Sequence, residues 1–399
     1  MTVQAIDPVS LPQRGTIDDT RGYEALHHPQ RFSGGLVVSQ SRPASEIGAE
    51  ILRAGGNAVD AAVAVGLAEA VTLPRAGNLG GGGYMLIHLA KQNKTIAIDY
   101  YSHSPAATTA KLLLDDQGKF DILKSISYQG VGVPGTVAGL YLAHQRYGKL
   151  KWQQVVQPAI DLAEKGVRLS DDEAMIVSWG SRYLKHDREA SRIFYKADGS
   201  FYKAGEIFRQ PDLAWSLKQI ARDGADAFYR GEIAKRIVAS SKANGGILSL
   251  KDFAAYQPRE TEALWSSYRG VDLALTPPNS GGTTLAELLN ILEQFPLAEY
   301  GQGSVHNLHL IAEATRLANH DCAHYDGGWP HYKTPAQGLT SKAFARERAA
   351  LIQHNTIIPA GKLSNSTPLK YESTDTTHYS VADAEGNVVS NTYTLSFNF

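Results

Sequence analysis

Asp375, Thr376 and Thr377 head a segment whose halves read as strands, Thr377–Asp383 and Val388–Leu395, around the turn signal Ala384-Glu385-Gly386-Asn387. A threonine hydroxyl in such a place is able to attack the carbonyl before it. The peptide becomes an ester, and water cleaves the ester. The new N-terminal threonine then holds nucleophile and base together, because its own α-amine accepts the hydroxyl proton. A turn centred on Glu385 pairs residue i with residue 770 − i (twice 385). Thr376 is therefore expected to face Thr394, whose hydroxyl would orient the nucleophile. The same residues have a plainer reading: threonine is common in strands, and facing threonines stabilise a sheet without reacting. The pattern leaves both open.

Other motifs carry less. Gly80-Gly81-Gly82-Gly83 permits very close backbone approach. No Lys-Ser/Thr follows it, so it is no phosphate loop. It reads equally as a flexible turn or as a backbone wall beside a substrate pocket. Gly130-Val131-Gly132-Val133-Pro134-Gly135 fits G-x-G-x-x-G, but no apolar strand precedes it and Val155-Val156 stands where the acid of a dinucleotide site belongs. Asn279-Ser280-Gly281-Gly282-Thr283 enters a helix, and capping by Ser280 or Thr283 is the simpler reading than ligand contact. The 13 histidines form no H-E-x-x-H, and there is no G-x-S-x-G. The single cysteine, Cys322, sits in a helical pattern and reads as a small buried hydrophobe. No metal is expected.

The elements that must position these residues alternate little. Gly35–Ser39 reads as a short strand, and Pro43-Ala44-Ser45 opens a helical stretch with Ile47, Ile51, Ala54, Ala58, Ala61 and Val65 at three- and four-residue spacing. Gly55-Gly56 interrupts it, so one helix or two fit equally. The alanine-rich face from Ala58 to Ala70 predicts close packing. Met85–His88 and Thr95–Asp99 read as strands joined at 91–94. Helices are expected near 136–147, 152–165, 212–222, 231–243, 283–294 and 304–322, with little period between 166 and 210. Strands at both ends and helices between them suit a layered α+β fold better than βαβ units. Residues 1–34 read as a loosely attached arm. The hairpin breaks off at Phe399 in mid-pattern, and the chain is expected to be part of a longer precursor.

With 399 residues, 39 Lys+Arg and 40 Asp+Glu, the chain has a formal charge of -1. That balance gives no footprint for nucleic acid or an anionic membrane. The first residues lack a positive n-region and an apolar run. The sequence as given therefore reads as cytoplasmic, or as periplasmic where a leader is missing.

The segment from Thr376 to Leu395 resembles the start of the small subunit of γ-glutamyltransferases (glutathione hydrolases). Upstream blocks in family order are similar too, among them Glu50–Ala62, Ala76–Met85, Pro134–Gly139, Asp226–Gly231 and Pro277–Gly282. The resemblance implies an N-terminal-nucleophile fold, an αββα sandwich with a helix-rich large subunit over 35–375 and a truncated small subunit over 376–399. It implies autocatalytic cleavage between Asp375 and Thr376, with Thr376 as nucleophile and Thr394 as its supporting threonine. The expected activity is γ-glutamyl transfer from, or hydrolysis of, γ-glutamyl amides such as glutathione through a threonyl ester, with no cofactor. The expected partners are that substrate, an acceptor amine or water, and the chain's own small subunit. Gly81 and Gly82 would line the substrate site, and Ser396 stands at the position of a family asparagine.

One departure touches specificity. The family strand Asp-Phe-Arg-Glu reads Asp99-Tyr100-Tyr101-Ser102, so Tyr101 replaces the arginine that binds the substrate's α-carboxylate. A phenol lacks the charged fork, a loss of about 2–3 kcal/mol for a carboxylate substrate. Arg75, beside the glycine run, is a candidate replacement cation; a paired or solvated surface arginine is the alternative. Two other readings follow: a relative acting on another acyl amide, such as a cephalosporin side chain, or a non-catalytic fragment.

Overall fold

The computed structural model describes residues 32–109, 111–180, 184–278, 280–325, 334–363 and 375–396. The chain divides into units of residues 1–34 and 35–399. Of the expected N-terminal arm, residues 1–31 lie outside the described residues.

After β1 (Gly35–Val38), Ser41 caps α1 (Arg42–Arg53) by accepting from the Ala44 N–H. The Gly55-Gly56 break separates two helices. The second, α2 (Ala58–Thr72), starts in a capping box: Asn57 accepts from the N–H groups of Val59 and Asp60, and Asp60 accepts from the Asn57 N–H. Its sequence is nearly all alanine, valine and glycine, so it has no polar stripe. All 15 of its residues are buried. Each fully buried valine or leucine there contributes about 1.5–3 kcal/mol.

Strands β2 (Gly82–Leu89) and β3 (Lys94–Asp99) follow, then α3 (Thr136–Tyr147), α4 (Trp152–Lys165) and α5 (Pro211–Asp223). The aperiodic stretch between α4 and α5 holds short helices at Asp171–Trp179 and Arg188–Phe194 and one two-stranded piece, Val167–Arg168 with Ile207–Phe208. Pieces this short leave no period to read. Beyond β4 (Arg259–Glu262) comes a second packing unit. It comprises the hairpin β5 (Leu264–Tyr268) and β6 (Val271–Leu275) and the helices α6 (Gly281–Leu292), α7 (Val305–Tyr325) and α8 (Lys342–Ala349). Its core is Ile291, Leu310, Ala314, Leu317, Ala345 and neighbours.

The chain returns through β7 (Asp375–Asp383) and β8 (Val388–Ser396) to the centre of a six-stranded sheet in the order β1-β7-β8-β2-β3-β4, antiparallel throughout. One face of this sheet packs on α2: Tyr379, Val381, Val389, Tyr393, Met85, Ile87 and Ile98 are buried in the main core. The opposite face carries His378, Leu36 and Val38, all exposed. This is an α+β layered fold, with helix packed on sheet. Gly66 lets α2 approach the hairpin closely, since a Cβ there would lie 2.6 Å from the Tyr379 hydroxyl oxygen.

Candidate active site

The β7–β8 turn is made by Asp383, whose carboxylate accepts from the N–H groups of Glu385 and Asn387, with Gly386 at φ +85°. Positive φ is the conformation glycine supplies without strain. The pairing runs from Val388–Ala382 to Tyr393–Thr377, the expected register. It then shifts, and Ser396 pairs with Asp375. Thr394 and Leu395 thus stand together against Thr376. The expected one-to-one facing of Thr376 and Thr394 is corrected to a β-bulge, whose extra residue locally frees a strand from its ladder. Ser396 is opposite the residue before the expected cleavage bond. The side chains of Asp375, Thr376 and Ser396 lie outside the described residues.

His378 is exposed, and Thr377 and Tyr379 on either side of it are buried in the core. Thr394, buried, pairs on its other side with Gly82 of β2. The glycine run is held closely. The Gly81 N–H donates to Asn78 Oδ1 at 2.8 Å, and the Gly81 carbonyl accepts from the N–H of Gly135 at 2.7 Å. A Cβ on Gly81 would sit 1.9 Å from the Thr394 carbonyl oxygen, and one on Gly82 would sit 2.9 Å from the Tyr101 carbonyl carbon. The run is therefore packed closely between β8 and the end of β3, and is not a loose turn.

Thr376, Thr394, Gly82 and Tyr101 therefore follow one another across β7, β8, β2 and the end of β3. Tyr101 is partly exposed, and its ring stacks on Tyr84 at 5.7 Å and 16°. Its N–H donates to Asp99 and its carbonyl accepts from the Tyr256 hydroxyl at 2.8 Å. Asp99 is ion-paired to Arg259 on β4. Tyr84, the stacking partner, is a residue the sequence reading passed over.

Arg75 is not drawn into this row. Its Nε lies 3.1 Å from Glu173 Oε1, and the glutamate is buried. Burial pushes the Glu173 carboxyl up to about 7, and Arg75 opposes that rise. The paired arginine, the alternative to a carboxylate clamp, is what the structure contains. Among the described residues no cluster of three or more histidine, cysteine or acidic side chains is arranged to hold a metal. Ser280 caps α6, its hydroxyl accepting from the Gly282 N–H. Cys322 is half-buried on α7.

Sequence reasoning missed Glu69. It lies in the last turn of α2, fully buried, and Thr377 Oγ1 donates to its Oε2 at 3.4 Å. Burial pushes its carboxyl up to about 8, against the hydroxyls of Thr377, Ser39 and Tyr393, which hold it down. Its signal was visible: an acid in an otherwise apolar run from Ala61 to Val71.

A family profile for Gamma-glutamyltranspeptidase matches residues 44–399. The chain is 43% identical over 379 residues to the glutathione hydrolase proenzyme of Escherichia coli (strain K12), covering 94% of this chain and 65% of that protein. It is 36% identical over 376 residues to the acylase ACY 1 proenzyme of Pseudomonas sp. (strain SE83), covering 92% of this chain and 66% of that protein. The structure superposes on Helicobacter pylori gamma-glutamyltranspeptidase with a TM-score of 0.82 and 36% identity, covering 87% of this chain and 100% of that one. The chain thus spans about two thirds of the length of the curated relatives it matches.

Proposed function

This chain belongs to the gamma-glutamyltranspeptidase family, and on that premise we propose that it is cleaved before Thr376 and transfers γ-glutamyl groups through the Thr376 hydroxyl. The observation that carries the reading is the bulge that sets Thr376 against Thr394 and Leu395 at the end of an otherwise regular hairpin.

Processing begins with Thr376 Oγ attacking the Asp375 carbonyl carbon. The C–N bond breaks as the C–O bond forms, the nitrogen takes up the hydroxyl proton, and water then hydrolyses the ester. The freed α-amine has an ordinary pKa of about 7.7–8.0, suited to a base near neutrality. It accepts the proton from Oγ as the hydroxyl attacks the γ-carbonyl of a γ-glutamyl amide, and passes it to the leaving amine. The γ-glutamyl ester is resolved by water, giving glutamate, or by an acceptor amine, giving a new γ-glutamyl amide. Thr394 orients the nucleophile, and Gly81 and Gly82 supply a wall without side chains between Thr394 and Tyr101. The substrates are glutathione-like amides, and the partner is the chain's own small subunit. The test is release of p-nitroaniline from a γ-glutamyl anilide by the product of the complete reading frame, with Thr376→Ala inactive.

A second reading rests on Tyr101. A stacked tyrosine pair at the position of the family arginine favours an acyl group without an α-carboxylate. A higher kcat/KM on a glutaryl anilide than on the γ-glutamyl anilide selects this reading.

A further inference from the structure

The two ionisable side chains of α2 are both buried, and their surroundings differ. The carboxylate of Asp60 accepts from the N–H groups of Asn57, Lys149 and Leu150, so its charge is met by backbone dipoles. Glu69 has no such set. The groups that face it are the hydroxyls of Thr377 on β7, Ser39 after β1 and Tyr393 on β8, with the phenol of Tyr379 beside them, and among the described residues no cation acts on it. A leucine would fill this place without a desolvation cost, and a buried carboxyl is tolerable only through the hydrogen bonds it makes. What it holds is therefore informative.

Thr377 and Tyr393 face each other as the last regular pair before the bulge. Both are tied to the same turn of α2. The Tyr393 hydroxyl donates to the Gly66 carbonyl at 2.7 Å, and the Thr377 hydroxyl donates to Glu69 three residues on. Beyond this pair the register shifts before it resumes at Asp375–Ser396, so the last regular pairing next to 376, and the one that stays once the bond before 376 is cut, is that of 377. Tyr393 is fixed through a backbone carbonyl, which any residue at 66 would offer. Thr377 is fixed through one side chain.

We propose that Glu69 is a positioning residue for the Thr376 nucleophile, clamping β7 through the Thr377 hydroxyl. The inference rests on the nucleophile reading above and adds to it a residue from the large subunit. The clamp works with a neutral carboxyl, which fits an apolar layer. An ionised one accepts the Thr377 hydrogen bond more strongly but meets no cation among the described residues, so its uncompensated burial draws in water and loosens the start of β7. The burial that pushes this carboxyl up to about 8 keeps it neutral through most of the physiological range. Alignment, and with it processing and turnover, then weakens on the alkaline side.

The experiment compares the wild type, Glu69→Gln and Glu69→Leu in the product of the complete reading frame. Cleavage before Thr376 is followed by mass, and kcat and KM for a γ-glutamyl anilide are measured between about pH 6 and 10. The wild type should lose cleavage rate and kcat above about pH 8, with KM nearly constant. Glu69→Gln, which bonds Thr377 but does not ionise, should keep the neutral-pH rates within about twofold and lose that alkaline fall. Glu69→Leu should slow both steps about tenfold at every pH without raising KM. An unchanged alkaline fall in Glu69→Gln overturns the proposal, and so does wild-type kcat in Glu69→Leu. If Glu69→Leu does not fold, the Glu69→Gln profile decides alone. A wild type that never cleaves before Thr376 overturns the nucleophile reading itself, and the clamp with it.

Discussion

Two of the molecule's buried glutamates, Glu69 and Glu287, are held in opposite ways. Under the sheet, Glu69 faces only hydroxyls and phenols among the described residues. In the helical unit, Glu287 of α6 lies against Asp321 of α7, and burial with this acidic neighbour pushes its carboxyl well above the usual range. There a cation completes the group: Arg348 of α8 reaches Asp321 at 2.8 Å and 2.6 Å, and His320 Nδ1 adds a contact at 3.1 Å. The acid pair and the guanidinium tie three helices together. In the sheet layer the acid ties a helix to β7, the strand that carries the proposed nucleophile. A carboxyl compensated by a cation is a staple. One compensated only by hydroxyls stays sensitive to its proton, and it sits where alignment matters.

The contrast can be broken most severely at the strand itself. Thr376→Ala should abolish both cleavage and turnover, read by mass and by p-nitroaniline release, whereas Thr377→Ala should still be cleaved, more slowly. Retained activity in Thr376→Ala would remove the chemistry from this region altogether. Next in size is the staple. Arg348→Met leaves Asp321 and Glu287 without their cation and should cost about 3–5 kcal/mol of stability. Denaturant melts should register that loss while kcat of the folded fraction stays the same. A fall in kcat at unchanged stability would mean the helical unit serves the site.

Thr394→Val keeps the shape of the bulge and removes a hydroxyl, so it should raise the barrier by about 2–4 kcal/mol with little change in melting temperature. Unchanged turnover ends its supporting role. The Glu69 carboxyl also predicts a slope. Its folded-state value of about 8 exceeds the ordinary 4.5, so its contribution to stability is complete below pH 4.5. That contribution falls as pH rises and is gone above about pH 8. Stability should drop by about 1 kcal/mol per pH unit inside that window, and Glu69→Gln should flatten the slope. The smallest effect is expected at Arg75. Held by Glu173, it should tolerate Arg75→Ala with less than about threefold change in KM, alike for γ-glutamyl and glutaryl anilides. A selective rise on the γ-glutamyl substrate would restore its role as a carboxylate clamp.

Much of this was legible before any coordinates. The turn residues Asp383 to Asn387 set the hairpin register, because turn chemistry is local. The break at Gly55-Gly56 was visible and its outcome open; the Asn57–Asp60 capping box decides it for two helices. The bulge was not legible, since β8 is held at Thr394 by Gly82 from a strand some 300 residues earlier in the chain, and no hairpin pattern encodes a neighbour so distant. Arg75 looked available because Glu173 is far away in sequence. Glu69 was in plain view, but a periodicity reading discards a single acid in an apolar helix. Its meaning appears only when the helix is laid against Thr377.

The central claim is that the hairpin begins with the nucleophile. It is tested most directly by sequencing the N-terminus of the smaller product after the complete precursor has matured. The account predicts a start of Thr376-Thr377-His378-Tyr379. A start at Thr377, or a precursor that remains a single chain, contradicts it.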